Sequence, residues 1–535
     1  MNNKIMDRFK TGTARRPGAI LTFLVIWAIV TAASVSADDL LSKFEDRVTE
    51  HVLENGWTFL IVERPVAPVF SFATFVNVGS AQEVPGITGI AHMFEHMAFK
   101  GTPRIGTTDY EAEKKAIEAV DKAYHAYDQA RRAANPDPDR VAKLLEEFKA
   151  KQEEAFQHVV PNEFGEIIER EGGVGLNAST SRDFTMYMYS LPANKLELFA
   201  YLESERFLHP VFREFYRERD VVQEERRLRT DSQPIGRLFE QSIAAGYVAH
   251  PYRQPTIGYM SDLQSITVDD AEAFYRTYYV PSNMVTTIVG HVDPETVIPV
   301  LEKYFGRIPK GPKPPELRTV EPPQIAEKTV VIVDPAQPVY TEMFHKPSAT
   351  HPDDAVYAAI DDVLSNGRTS RLYRSLVRDS KIAAFAGSFS SFPGSKYPNL
   401  WLAYIIPAKG QTNEDIQTAV RAEIDRLKTE PISDAELRRF KTRAKADFLR
   451  QLRSNMGLAM QFSSAKTLFG DWRALFRSLE AIDRVTKDDI QRVAQETFVP
   501  SNRTVAMIYT EDPNQNADGA DNSNDGNTGS ASGAP

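Results

Sequence analysis

The 535-residue chain has no cysteine, which excludes disulfide bonds and a lipid-modified cysteine anchor. It also lacks an excess of positive charge, since its formal net charge is −10 at pH 7. A negative chain repels phosphate groups, which argues against binding to nucleic acid or to an anionic membrane. Histidine is scarce, with ten residues in the chain, so histidines at a regular spacing are informative.

The overall composition is ordinary for a soluble globular protein, with 42% hydrophobic and 25% charged residues. A chain of this length is too long for one ordinary core. Two or more domains are therefore expected.

The two ends of the chain differ from the rest. Five basic residues precede an apolar run at residues 19–35, and Val35-Ser36-Ala37 fits the small-x-small cleavage rule. This pattern predicts a signal peptide at residues 1–37, with an uncleaved membrane anchor as the alternative. Its removal would change the net charge to −14. The tail at residues 512–535 is rich in Asn, Asp, Gly and Ser and is predicted to be disordered.

Two histidines stand four positions apart between Gly89 and Gly101, in the order His92-Met-Phe-Glu95-His96. On an α-helix, positions i and i+4 share one face, with Cβ atoms about 5–6 Å apart. Two imidazoles placed in this way can bind one zinc ion at roughly 2.0–2.1 Å each. Glu95 lies beside them and can take a proton from a zinc-bound water. H-x-x-E-H, the inverse of the zincin motif, therefore predicts a metal-assisted hydrolytic site.

A helix with two buried histidines, each bonded to a carbonyl, is the alternative interpretation of this motif. Apolar residues surround the motif and predict a buried helix: Ile87, Ile90, Met93, Phe94, Met97 and Phe99. Buried imidazoles beside a buried carboxylate need a polar partner, and a metal ion supplies one.

Strands are predicted at residues 58–62, 69–76 and 184–189, where β-branched and aromatic residues dominate. A helical hairpin is predicted at about residues 108–160. Thr108-Asp-Tyr-Glu111 matches a capping box that begins a helix, Asn-Pro-Asp-Pro then turns the chain, and a second charged helix follows. The polar surface of this hairpin is typical of a solvated insertion, and a lid or partner-docking arm over the site is the alternative.

A helix that begins near Phe212 contains Glu218 and Glu225, which are seven residues apart and share one face. Val221 and Val222 are predicted to lie between them on the buried side. A glutamate on such a face, aimed at the histidine pair, could be a third zinc ligand. A solvated, charge-rich helix would show the same spacing, so the spacing alone leaves both interpretations open.

An internal repeat indicates a duplicated domain. The pattern Thr-x-Asp-Asp followed by Val-Pro-Ser-Asn occurs at residues 267–283 and again at 486–502, each time before an apolar strand. Pro68-Val69 corresponds in the same way to Pro338-Val339. The second copy has no histidine pair at the matching position, near residues 358–362, so no catalytic zinc is expected there.

The chain resembles the pitrilysin–insulysin family of zinc metallopeptidases, most of all the half-length, two-domain type that includes the mitochondrial processing peptidase. The resemblance covers roughly residues 45–511. It rests on three motifs in the family's order: His-Met-Phe-Glu-His followed by Ala-Phe-Lys-Gly-Thr at 92–102, Leu-Asn-Ala-x-Thr-Ser at 176–181, and Glu-Arg-Asp-Val-Val-x-Glu-Glu at 218–225.

The resemblance implies that His92, His96 and Glu225 bind one zinc ion per chain and that Glu95 is the general base. Glu218 would be a carboxylate outside the ligand set that orients the site.

Two further points concern the ligand spacing and the substrate. The family's interval between the second histidine and the glutamate ligand is shorter than here, but the extra residues fall in the predicted hairpin. Glu224 is the competing ligand.

The resemblance also implies that Asn177 and Ala178 lie on an edge strand that pairs with the extended substrate backbone.

The chain departs from the family at one place. Active relatives often carry, in the second domain, an arginine and a tyrosine seven residues apart that hold the substrate near the zinc. The matching positions here are Val377 and Ala384, and a shift by one residue gives Arg378 and Phe385, which has no hydroxyl. A second half-length chain could supply the missing pair, which predicts a homodimer or heterodimer.

Together these observations predict an α+β fold of two homologous domains, each a mostly antiparallel sheet packed with helices, that face each other across a clam-like cleft. The expected boundaries are a catalytic domain at 38–309, a linker at 310–327 and a non-catalytic domain at 328–511. The expected activity is zinc-dependent endopeptidase cleavage of peptides or small unfolded polypeptides. The signal segment predicts export. The resemblance to bacterial periplasmic members of the family implies a protein that is periplasmic, or membrane-anchored and facing the periplasm. A non-catalytic scaffold subunit, or a maturation factor that cleaves one peptide, is the alternative.

Overall fold

The computed structural model describes residues 37–511. The predicted signal peptide, except for Ala37, and the tail predicted to be disordered lie outside the described residues, so both stay predictions. Among the described residues, no helix has both the length and the apolar composition that a membrane crossing requires.

The first half of the described chain, up to residue 309, contains one sheet and its helices. The strands are β1 (Val48–Val52), β2 (Thr58–Glu63), β3 (Val69–Val76), β4 (Val174–Thr180), β5 (Thr185–Pro192) and β6 (Met284–Gly290). The helices are α1 (Ala37–Glu45), α2 (Ile90–Met97), α3 (Tyr110–Arg131), α4 (Pro138–Phe156), α5 (Glu163–Arg170), α6 (Leu196–Leu208), α7 (Phe215–Arg226), α8 (Pro234–Gly246), α9 (Met260–Leu263), α10 (Val268–Tyr278) and α11 (Pro294–Phe305).

The second half, from residue 328 onward, contains the other sheet. The strands are β7 (Lys328–Asp334), β8 (Val339–Lys346), β9 (Ala383–Phe392), β10 (Asn399–Pro407) and β11 (Arg503–Thr510). The helices are α12 (Asp354–Ser365), α13 (Asn413–Thr429), α14 (Asp434–Gln451), α15 (Asn455–Phe469), α16 (Ala474–Arg484) and α17 (Lys487–Thr497).

The two sheets have the same strand order. Within the described residues the first runs β1-β2-β6-β3-β5-β4 and the second β7-β11-β8-β10-β9, which is the same order without β1. The pairs β2–β6 and β7–β11 are parallel, and all other neighbouring strands are antiparallel. The predicted α+β fold with two mostly antiparallel sheets is therefore confirmed.

The repeated sequence pattern lies at equivalent places in the two halves. Thr267 caps α10 and Thr486 caps α17, and in both cases the aspartate three residues later bonds back to the threonine backbone. Each helix leads to the strand, β6 or β11, that pairs in parallel with β2 or β7. No helix or strand of the described chain lies between Phe305 and Lys328, which includes the predicted linker. The domain boundaries themselves stay a prediction.

The hairpin of α3 and α4 is extra relative to the second half, where only a short π-helical segment, Tyr373–Asp379, lies between α12 and β9. The expected capping box at Thr108 is wrong. Asp109 caps α3 by accepting a hydrogen bond from Ala112 N at 3.1 Å. The Thr108 hydroxyl instead donates to His158 O at the far end of the hairpin, so it is not available to the helix.

Each half supplies one helix that covers the sheet of the other. Helix α8 packs against β7 and β11, where Leu238 joins an apolar cluster with Val339 and Ile508. Helix α15 packs against β3 and β6, where Ser463 Oγ donates to Ala73 O at 2.9 Å. An apolar face of each sheet is therefore buried by a helix from the opposite half of the chain.

Candidate metal centre

Helix α2 carries the H-x-x-E-H motif. It begins after Gly89, whose φ of 94° lies in the left-handed region that favours glycine. The buried carboxyl group of Glu83 accepts hydrogen bonds from Gly89 N at 2.9 Å and from Ala91 N at 2.8 Å. Glu83 thus satisfies N–H groups at the start of the helix, which have no partner within the helix itself. These two hydrogen bonds fix where the short helix begins.

His92 and His96 lie one turn apart on α2, and their ring centroids are 4.9 Å apart. His92 is buried and His96 is half-buried. The buried Nδ1 atom of His92 has no hydrogen-bond partner among the described residues. The Nε2 atoms of both rings face a carboxylate and not a backbone carbonyl. The alternative interpretation, in which carbonyls satisfy both rings, does not describe this arrangement.

Helix α7 brings Glu225 to the histidine pair. Glu225 Oε2 lies 3.7 Å from His92 Nε2 and 3.4 Å from His96 Nε2. The other carboxylate oxygen, Oε1, lies 2.6 Å from Arg229 Nη1, which leaves Oε2 to face the imidazoles. Glu224, the competing candidate, is exposed and pairs with Arg227. Glu225, and not Glu224, is the glutamate that converges with the histidines.

One expectation about α7 is wrong. Val222 is buried, but Val221 is 48% exposed. Successive residues on a helix point about 100° apart, so that neighbouring valines do not both face the core.

The three converging atoms fit a zinc ion. They all lie within 4.8 Å of one another. Two ligands about 2.0–2.1 Å from a tetrahedral ion are separated by about 3.3–3.4 Å, close to the distances from Glu225 to the two imidazoles. Two imidazole nitrogens and one carboxylate oxygen are also a donor set that zinc prefers, with a fourth position left for water. Among the described residues this is the one group of three or more His, Cys, Asp or Glu side chains that converges in this way.

Glu218 and Lys100 support His96 from the other side. Glu218 Oε2 lies 3.3 Å from His96 Nδ1, and Glu218 Oε1 lies 2.6 Å from Lys100 Nζ. Lys100 also donates to Glu214 at 3.0 Å. A carboxylate on the distal nitrogen of an imidazole fixes the ring orientation and the position of its proton. Nδ1 can therefore keep its proton while Nε2 binds a metal.

The charges at the site suit this role. Burial, and then the charge of His96, lowers the pKa of His92 to about 4, so its ring is neutral near pH 7. Burial alone would lower the pKa of His96, but the hydrogen bond with Glu218 and the nearby carboxylates raise it. Burial alone would raise the pKa of Glu218, but its hydrogen bonds with His96 and Lys100 lower it, so Glu218 is ionised.

Glu95 lies on α2 between the two imidazoles in sequence and is partly exposed. A cavity of about 620 Å³ opens beside Glu95 and His96. Apolar side chains from several elements form part of its wall: Phe99, Phe156, Val159, Val160, Pro161 and Phe164. The motif glutamate therefore faces a space large enough for part of a peptide.

The predicted substrate residues lie on β4, an edge strand of the first sheet. Among the described residues β4 pairs only with β5. Asn177 is exposed and Ala178 is buried, as expected for successive residues of a strand. Helix α2 packs against this strand, and Thr180 Oγ1 lies 3.4 Å from Ala91 O. The free edge of β4 therefore runs beside the metal helix.

Val377 and Ala384 occupy the second-half positions discussed above, where active relatives often carry the arginine and the tyrosine. Val377 lies in the π-helical segment Tyr373–Asp379, and Ala384 is exposed on β9. Arg378 is exposed and pairs with the adjacent Asp379 at 2.7 Å. Phe385 is 46% exposed on β9, the edge strand of the second sheet.

Sequence reasoning did not find several residues that shape the site. Lys100 stands in the Ala-Phe-Lys-Gly-Thr segment, and that segment was the available signal for it. Glu83 and Arg229 gave no signal, because a capping carboxylate six residues before a helix, and a surface arginine, match no motif.

Comparisons with known proteins identify the family of the chain. The family model described as "Insulinase (Peptidase family M16)" matches residues 58–151 and 132–259, and the one described as "Peptidase M16 inactive domain" matches residues 265–444. The zinc protease PqqE of Helicobacter pylori is 30% identical over 501 residues, which cover 90% of this chain and 96% of that protein.

Two further relatives match most of the chain. The mitochondrial-processing peptidase subunit beta of Lentinula edodes is 24% identical over 83% of this chain and 86% of its own length. The crystal structure of a protease from Helicobacter pylori superposes with a TM-score of 0.71 and 27% identity, and covers 86% of this chain and 99% of that chain. The chain therefore belongs to peptidase family M16, the insulinase family.

Proposed function

We propose that the chain is a zinc-dependent endopeptidase that hydrolyses peptides or small unfolded polypeptides. The observation that carries this proposal is the convergence of His92 Nε2, His96 Nε2 and Glu225 Oε2 within 4.8 Å, with Glu95 on the same helix. Relatives that carry the names zinc protease and processing peptidase support it.

His92, His96 and Glu225 would hold the ion. When bound there, zinc would polarise the scissile carbonyl as a Lewis acid and lower the pKa of a water molecule toward roughly 7. Glu218 keeps the proton of His96 on Nδ1, so that Nε2 presents its lone pair to the ion.

Glu95 is the general base. It accepts the proton that the water loses as the water oxygen attacks the carbonyl carbon, and it then delivers this proton to the leaving amine nitrogen as the peptide bond breaks. The cavity beside Glu95 gives the substrate access to this carboxylate.

The substrate binds in an extended conformation along β4. The backbone of Asn177 and Ala178 pairs with the peptide, because the outer edge of β4 leaves N–H and C=O groups without a strand partner in the described chain. Pairing through backbone groups accepts many sequences, which suits an enzyme for unfolded peptides.

A second half-length chain completes the enzyme, as a homodimer or heterodimer. The proposal rests on Val377 and Ala384, which stand where active relatives often carry the arginine and the tyrosine. We also propose that the protein is exported, to the periplasm or to a membrane anchor facing it, on the basis of its first 37 residues.

The test is hydrolysis of a mixed library of short peptides by the purified chain, with and without a zinc chelator. Glu95→Gln should bind one zinc ion per chain and lose about 10²–10⁴-fold in activity, as expected when a general base is removed. Glu146→Gln, which changes an exposed glutamate on α4, is the matched control and should keep full activity.

Four outcomes are distinct. Chelator-sensitive cleavage that Glu95→Gln lacks supports a self-sufficient zinc peptidase. Zinc binding without cleavage supports the requirement for a partner chain. A chain with neither zinc nor activity would overturn the proposal and favour a scaffold subunit, and wild-type turnover by Glu95→Gln would rule out the role assigned to that residue.

A further inference from the structure

We propose that the hairpin of α3 and α4 is a brace that fixes α7 against α2, and that Arg213 and Glu113 are its central positioning residues. This inference rests on the proposed zinc site, because its purpose is to hold Glu225 and Glu218 in place against the histidine pair. It assigns a role to a segment that the second half of the chain lacks.

The central contact is a buried ion pair at the meeting point of three elements. Arg213 lies two residues before α7, Glu113 lies in the first turn of α3, and both side chains are at most 1% exposed. Arg213 Nη2 donates to Glu113 Oε2 at 2.8 Å, and Arg213 Nε donates to Glu113 Oε1. This is the two-bond geometry in which a guanidinium and a carboxylate fix each other's orientation.

The remaining donors of Arg213 hold the loop that leaves α2. Its Nη1 donates to Lys100 O and to Ile105 O, the latter at 3.1 Å, and its Nη2 lies 3.3 Å from Thr102 O. A Cβ atom at Gly106 would lie 2.6 Å from Nη1, so this loop packs directly on the guanidinium. One side chain thus joins the exit of the histidine-bearing helix to the entrance of the glutamate-bearing helix.

The hairpin also contacts α7 along its first turns. Tyr216 donates to Asp121 of α3, and the guanidinium of Arg219 lies 4.4 Å from the ring centroid of Tyr124. Arg217 pairs with Glu153 of α4 and lies 4.1 Å from the ring centroid of Phe156. These contacts involve both helices of the hairpin, so α7 is held along its side as well as at its start.

The outer face of the hairpin shows no such contacts. Glu146 and Lys149 on α4 pair with each other at 3.1 Å and are 73% and 57% exposed. Only Phe148 is buried on α4. The hairpin therefore has one face that contacts α7 and one solvated face, and the second face offers matched control positions.

Precise placement of α7 matters because a zinc site tolerates little displacement. Ligand distances in such sites stay within about 0.2 Å of their preferred values. Glu218 and Glu225 have fixed positions along one helix, α7. A shift of α7 relative to α2 therefore changes the distances from Glu225 to both imidazoles, and at the same time the distance from Glu218 to His96.

The experiment compares zinc affinity among folded variants of the full chain, by competition with a chelator below the unfolding transition. Glu113→Gln keeps the shape of the side chain but removes the charge that balances the buried guanidinium. We expect its zinc dissociation constant to rise about tenfold, at the low end for residues that support a metal ligand from outside the ligand set. Glu146→Gln should bind zinc like the wild type.

A second variant keeps the test decisive if Glu113→Gln does not fold. Tyr216→Phe removes only the hydroxyl that donates to Asp121, and we expect it to weaken zinc binding about threefold. The visible absorption of cobalt(II) in the site provides a further readout, since a changed ligand geometry alters this spectrum and a purely structural loss of stability does not.

Variants that unfold at lower temperature but bind zinc, and give the cobalt spectrum, like the wild type would overturn the inference and leave the proposed function intact. A wild-type chain that binds no zinc would overturn the proposed function and this inference with it. A selective loss of zinc affinity in the variants on the α7 side of the hairpin supports the brace.

Discussion

The same backbone arrangement carries a candidate metal site in the first half of the chain and none in the described second half. Strands β3 and β8 span equivalent residues at an offset of 270. At the same offset, Asp362, Ser365 and Asn366 stand where the first half has His92, Glu95 and His96. Asn366 Nδ2 donates to Asp362 Oδ1 at 2.7 Å, and Arg443 lies 3.3 Å from the same oxygen. A guanidinium of the chain itself balances this carboxylate.

The helices that face these positions differ in the same way. The offset of 219 residues between the repeated patterns places Leu437 and Ala444 of α14 where α7 has Glu218 and Glu225. Leu437 and Ala444 pack against the apolar core of the second half. The comparison teaches that the fold supplies two facing helices in each half, and that a few side chains decide whether these helices offer ligands or extend the core.

The largest expected effect comes from the histidine pair and its counterpart. His96→Ala should weaken zinc binding on the order of a thousandfold, because a total zinc affinity of about 10–16 kcal/mol is shared among few ligands. Asn366→Ala, the equivalent change in the second half, should leave zinc binding unchanged. Isothermal titration with zinc on both variants measures this, and a similar loss in both would contradict the asymmetry.

The second prediction concerns pH and the buried carboxyl group of Asp361 on α12. Burial raises its pKa to about 7, while the hydrogen bond from Ser388 partly opposes this rise. Because the pKa is raised in the folded chain, its contribution to stability is complete below about pH 4 and is lost as the pH rises toward 7. The wild type should therefore lose roughly 2–3 kcal/mol in free energy of unfolding relative to Asp361→Asn between pH 4.5 and pH 7.

Urea unfolding at several pH values measures this difference. Asp425→Asn on α13, which changes a largely exposed carboxylate paired with Lys428, is the control and should show little relative change. A constant difference between the wild type and Asp361→Asn at all pH values would contradict the assigned burial effect.

The smallest expected effect tests where the two halves are alike. Thr267→Ala and Thr486→Ala each remove a capping hydroxyl that accepts a hydrogen bond from the backbone N–H three residues later. Each should cost about 1 kcal/mol in free energy of unfolding, the usual loss for a capping threonine. Thermal unfolding of both variants measures the losses, and clearly unequal values would show that the two caps are not equivalent.

Local patterns in the sequence predicted the fold class and much of the candidate site. The predicted strands at 58–62 and 69–76 match β2 and β3 closely, because β-branched and aromatic residues, which favour strands, dominate both stretches. The spacing of His92 and His96 needs only the geometry of one helix. The error at Val221 arose because a seven-residue spacing defines the glutamate face and leaves the neighbouring positions open.

Contacts between distant segments could not be predicted in this way. Arg213 and Glu113 are 100 residues apart, and Lys100 and Glu218 are 118 apart, so no periodic pattern links the members of either pair. Each of these residues taken singly is typical of a solvated surface. Their burial becomes clear only when three elements meet at one point in the fold.

The exchange of α8 and α15 between the two sheets has a consequence for biosynthesis. Helix α8 is synthesised before any strand of the second sheet, against which it packs. Helix α15, which packs against the first sheet, is synthesised only after all the strands of that sheet. We therefore expect this face of the first sheet to stay exposed until α15 has been synthesised. For the same reason, a single proteolytic cut within residues 310–327 should leave two fragments that stay associated, since each fragment buries an apolar face of the other.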